Sequence, residues 1–88
     1  MRIQEELKQG SEHYMHVEQL AKMVNDIAAF FESESGREKA IDDVASHMRR
    51  FWDPRMRREI VAHFAKGGDG LTQIARAAVA KLAQAAHQ

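Results

Sequence analysis

The sequence predicts an all-α fold, a small bundle of about four helices in a single domain. Apolar residues recur at the 3, 4, 7 spacing of a helical face in four separate segments, and no segment alternates as a strand does. Capping and breaking residues divide those segments at 33–36, 53–54 and 67–70. At 88 residues the chain sits near the lower limit for a self-sufficient core, so a second copy or a partner subunit is expected to help it.

Residues 1–11 read as a flexible or weakly helical leader, because Ile3 and Leu7 are too few apolar side chains to hold an element. Residues 12–88 read as the helical domain. The first helix is expected from Glu12 to Glu32, with Val17, Leu20, Ala21, Val24, Ile27, Ala28 and Phe31 on one face. Met23 and Phe30 widen that stripe to about half the circumference at roughly 100° per residue, more than a surface helix needs. Such a helix is central, or it lends its extra flank to another protein.

Ser33–Gly36 breaks the pattern, and Ser35-Gly36-Arg37-Glu38 fits a capping box. The second helix then carries Ala40, Ile41, Val44, Ala45, Met48, Phe51 and Trp52 on its inner face. Its start is acidic and its end basic, which suits the helix dipole. Asp53-Pro54 ends it and begins the next, since the residue before proline avoids the α region and proline fits the first helical position behind an aspartate cap. The third helix, Pro54 to Lys66, is expected to bury Met56, Ile60, Val61 and Phe64. Glycines at 67, 68 and 70 permit the positive φ of a helix end. Thr72 caps the last helix, whose inner face holds Leu71, Ile74, Ala75, Ala78, Val79, Leu82 and Ala85.

Composition excludes several functions. The chain has no cysteine, so disulfides, thiolate metal sites and cysteine nucleophiles are ruled out. No stretch approaches the roughly 18 apolar residues of a membrane span, and the polar N-terminus is unlike a signal peptide, so a cytoplasmic location is expected. His13 and His16 share a flank without a third ligand. Glu59–His63 and Asp43–His47 are ordinary i,i+4 surface pairs. The glycine cluster follows no strand and matches no phosphate-binding fingerprint. Catalytic, cofactor-binding and metal-binding residues are therefore expected to be absent.

One stretch stands apart. His47 to Arg58, HMRRFWDPRMRR, holds five arginines against Asp53, a formal charge of +4 in a chain of net charge zero. It also contains the only tryptophan and the only proline. Arg55, Arg57 and Arg58 lie in the first turns of the third helix, where the dipole disfavours cations by roughly 0.3–1 kcal/mol each. Arg57 falls inside the apolar arc as well. Local explanations are that Arg57 reaches past the helix end into water, or that the arginines pair with Glu32, Glu34, Glu38, Asp42 and Asp43. The functional explanation is planar, bidentate recognition of carboxylates or phosphates on another molecule. Trp52 and Phe51 fit a packed corner and, less readily, apolar recognition. Arg49, Arg50, Trp52, Arg55, Arg57 and Arg58 are thus the candidate partner-binding residues.

HMRRFWDPRMRREIVAH, followed by GGDGL and an Ala-rich helix, resembles the small delta subunit of the soluble, molybdenum- or tungsten-dependent NAD formate dehydrogenases. MVNDIAAFF matches the first helix of the same family. The resemblance spans about Val17 to Leu82. Asp53 stands where that family often has glutamate, and Thr72-Gln73 where it often has Ser-Pro; both keep a cap. The resemblance implies a non-catalytic accessory subunit that binds the catalytic (large) subunit and supports complex assembly and molybdenum-cofactor maturation. It also implies a holoenzyme carrying bis-molybdopterin guanine dinucleotide, iron–sulfur clusters, flavin and NAD on other chains. With no cysteine, this chain cannot ligate an iron–sulfur cluster through thiolates. Two alternatives from other classes remain open: a nucleic-acid binder, disfavoured by neutral net charge, and a homodimer formed by self-association of the isolated chain.

Overall fold

The structure, a computed structural model, describes residues 16–86 and contains four helices in that span. These are α1 (Val17–Ser35), α2 (Arg37–Phe51), α3 (Pro54–Ala65) and α4 (Gln73–Ala86). The all-α expectation holds. The expected leader at 1–11 and the expected helix start at Glu12 lie outside the described residues.

At His16 the chain is extended, and its N–H donates to the Gln19 side chain at 3.2 Å, satisfying one donor at the start of α1. The helix runs three residues beyond the expected Glu32. Ser33, Glu34 and Ser35 stay helical because the Gly36 N–H still donates to the Glu32 carbonyl at 3.1 Å. Ser35 therefore does not cap α2. The capping box expected from Ser35 and Glu38 is not formed; Gly36 itself is the cap, without a side-chain hydrogen bond. At φ 84° and ψ 167°, Gly36 reverses the chain in one residue while its carbonyl accepts from Ala40 N–H at 2.9 Å.

The second junction follows expectation. Trp52 and Asp53 are extended, and the Asp53 carboxylate accepts from Met56 N–H at 3.0 Å, with Pro54 opening α3. Thr72 Oγ1 likewise accepts from Ala75 N–H at 3.3 Å at the start of α4.

The core gathers Leu20, Val24, Val44, Met48, Ile60 and Val79, all fully buried, with contributions from every helix. Helix α2 packs against both α1 and α4, while α3 closes the bundle against α4 and α1. Helix α3 is less covered than expected: Ile60 is buried, but Met56, Val61 and Phe64 are only half-buried against the core. Ala85, expected inside, is exposed. Phe51, expected on the inner face of α2, is 68% exposed, whereas Trp52 is 5% exposed. The extended backbone at Trp52 frees its ring from the 100° step that placed both rings on one side, and that ring alone enters the core.

Polar contacts between elements fix the remaining geometry. Asn25 donates to the Gly70 carbonyl at 2.8 Å and accepts from Thr72 N–H at 2.9 Å, tying α1 to the loop before α4. Arg76 donates to the carbonyls of Gly67 and Gly68, and His63 Nε2 lies 2.7 Å from the Asp69 carbonyl. Lys81 meets Asp42 at 2.7 Å, joining α4 to α2. Among the described residues, no helix is long and apolar enough to cross a membrane.

Candidate partner-docking site

Helix α2 ends on Arg49 and Arg50, cations at the negative end of its dipole. The two-residue bend at Trp52–Asp53 then starts α3 beside that end, so Arg55, Arg57 and Arg58 return to the same corner. Local chain geometry alone concentrates the charge.

Within that corner the arginines have different surroundings. Arg57 is half-buried, and its Nη1 donates to the carbonyls of Trp52 and Arg49, the latter at 3.3 Å. It closes the carbonyl end of α2, which explains an arginine within the apolar arc of α3 better than a reach into water does. Nor do Asp42 and Asp43 take up the arginines: Asp42 pairs with Lys81 and Asp43 with Lys39 at 3.2 Å. Arg49, Arg50 and Arg58 make no ion pair with a carboxylate among the described residues.

Arg49, Arg57 and Arg58 converge on one open groove of about 760 Å³ between α3 and α4. Its floor is apolar, formed by Pro54, Val61, Ala62, Ala65, Leu82 and Ala85. No carboxylate lines it among the described residues. The floor follows from the two departures noted above: α3 leaves Val61 half-covered, and α4 leaves Ala85 exposed.

The other candidates lie elsewhere. Arg55 lines a separate, more polar depression with Val17, Glu59, His63 and Lys66, to which Arg58 also contributes. Arg50 lies over the Phe51 ring, 5.7 Å from its centroid. Trp52 is a core side chain.

Periodicity missed a second feature. Phe30, Phe31, His47 and Phe51 form a continuous line of rings across α1 and α2, with centroid separations of 5.2, 6.2 and 4.8 Å. The excess width of the α1 stripe at Phe30 was its one signal in the sequence. The loop contacts of Asn25, His63 and Arg76 were not legible, because each partner is a backbone carbonyl or N–H whose position depends on how the 67–72 turn folds.

Among the described residues, no three histidine, aspartate or glutamate side chains come together as a metal site. His13, considered with His16, lies outside the described residues. Among the described residues, the one titratable group clearly displaced is Asp42. Its hydrogen bond to Lys81 and the charge of that ammonium hold its carboxyl below the ordinary aspartate value against some desolvation, and Lys39 and Arg49 add less.

No curated protein and no solved structure matches the chain. Residues 19–79 match the family model of the NADH-dependent formate dehydrogenase delta subunit FdsD, a span that takes in α1 from Gln19, all of α2 and α3, and the first half of α4. The match covers more than half of the chain and includes the whole arginine corner, and the chain belongs to that delta subunit family.

Proposed function

We propose that this chain is a non-catalytic accessory subunit of an NAD-dependent formate dehydrogenase. It binds the catalytic subunit through the arginine-rimmed groove between α3 and α4, in the cytoplasm, and supports assembly and maturation of the molybdenum-cofactor site. The observation that carries this reading is the groove itself: an apolar floor with Arg49, Arg57 and Arg58 at its rim and no carboxylate among its described lining residues. Such a surface suits a segment that presents apolar side chains to the floor and carboxylates to the guanidinium groups.

The chain has no cysteine thiolate, and its described residues form no metal-ligating cluster. On this reading bis-molybdopterin guanine dinucleotide, iron–sulfur clusters, flavin and NAD belong to other chains of the holoenzyme. This chain contributes shape and charge. Its arginines divide among a groove, a separate depression and an aromatic surface rather than forming one stripe, which weighs against nucleic-acid binding.

The test is co-expression with the catalytic subunit and capture on a tag carried by this chain. The wild-type chain is expected to retain the catalytic subunit, and Arg49→Glu/Arg58→Glu to lose it while remaining helical by circular dichroism. Molybdenum content of the catalytic subunit made with and without this chain tests the maturation role. No capture by the wild-type chain, or undiminished capture by the double variant, would overturn the reading.

A further inference from the structure

Among the described residues, Phe30 and Phe51 are the large hydrophobic side chains left exposed, at 58% and 68%. They terminate the line of rings that runs through Phe31 and His47. This line crosses the seam of the α1–α2 hairpin. His47 and Phe51 each lie two residues from Arg49, about 160° around α2, so the strip faces away from the arginine groove. It belongs to a different surface.

The ends of the strip carry opposite charges. Glu34 stands one helical turn beyond Phe30 on the same flank of α1 and is exposed. Arg50 lies over Phe51 at the other end. Neither makes an ion pair among the described residues. An apolar strip with an acid at one end and a base at the other is self-complementary under two-fold rotation. Two antiparallel copies stack ring against ring and bring Glu34 of each to Arg50 of the other.

We propose that the strip Phe30–Phe31–His47–Phe51 is a homodimerisation surface, occupied by the same strip of a second copy in antiparallel register. The pairing covers the exposed aromatics of a chain whose core is small for independent stability. It leaves the arginine groove open, so it does not depend on the docking proposed above.

Sedimentation of the isolated full-length chain over a range of concentrations tests this. The wild-type chain is expected to show a reversible monomer–dimer equilibrium. Phe30→Ala/Phe51→Ala is expected to be monomeric with an unchanged helical spectrum. Glu34→Arg and Arg50→Glu singly are expected to weaken the dimer at least about tenfold, and the two together to restore it, which is the signature of the antiparallel register. A wild-type chain monomeric at every concentration would overturn the proposal, as would a dimer indifferent to the double alanine variant. Failure of the charge swap to restore association would overturn the register. If the wild-type chain is monomeric and the alanine variant loses capture of the catalytic subunit, the strip belongs to that subunit and self-pairing is rejected.

Discussion

Arg57 sits in the apolar arc of α3, and its Nη1 hydrogen-bonds to carbonyls at the end of α2. The helix position that makes a cation unfavourable by its own dipole is offset by the neighbouring helix, whose carbonyl end attracts one. Arg57→Met keeps the stem and removes the donors. It is expected to lower the unfolding free energy by about 1–3 kcal/mol, since a charged donor to the partly buried Trp52 carbonyl is lost, together with its exposed contact to Arg49. Arg58→Ala, at an exposed position without such a contact, is expected to stay within about 0.5 kcal/mol. Urea denaturation of the two variants checks the contrast. The Asp42–Lys81 pair makes a prediction in pH. Because the folded-state pKa of Asp42 is depressed, its contribution is present above the ordinary aspartate range and is lost as pH falls through the depressed value. In Lys81→Met the Asp42 carboxyl is expected to titrate higher by NMR. The stability difference from wild type should be present at neutral pH and vanish in acid.

At the scale of elements, the junctions differ in what they ask of the chain. Asp53-Pro54 is legible in sequence because a cap and a fixed φ are local chemistry, needing no neighbour. The α1–α2 reversal is not a capping box but a single glycine at φ 84° and ψ 167°, a region essentially closed to other residues. A Cβ at Gly36 would meet nothing within 4 Å, so the penalty for Gly36→Ala is backbone strain alone. A loss on the order of 1–3 kcal/mol is expected by thermal denaturation. Gly68 has φ 65° and crowding as well, since its Cβ would stand 3.0 Å from Arg76 Nη1. The loop from Gly67 to Thr72 is held from outside by Asn25. Asn25→Ala removes two hydrogen bonds and is expected to cost about 1–2 kcal/mol. Faster amide exchange at Thr72 would accompany it, because that N–H loses its acceptor.

For the whole molecule, the arginine corner becomes a groove only when α4 is laid beside α3. Arg49 comes from α2, Arg57 and Arg58 from α3, and Leu82 and Ala85 from α4. Arg49→Glu/Arg58→Glu should therefore change association with the catalytic subunit far more than folding. A buried charge contact of that kind is worth about 2–5 kcal/mol in binding, while exposed substitutions of this kind leave stability within about 0.5 kcal/mol each. Comparing capture with urea midpoints for the same variant separates the two effects.

The sequence by itself determined the four helices, the Asp53-Pro54 and Thr72 caps, the apolar faces of Leu20, Val44, Ile60 and Val79, and the concentration of arginines in one corner. These follow from period, φ restriction and side-chain chemistry within a few residues. Resemblance in the same stretch also pointed to the family that the match over residues 19–79 establishes. Only the tertiary structure decided that Trp52 turns inward and Phe51 outward, that Arg57 closes α2, and that Arg49, Arg57 and Arg58 share an apolar groove while Arg50 and Arg55 do not. Periodicity states which residues lie on one side of a helix. What covers that side, and how far along it the cover extends, is set by the helices packed against it.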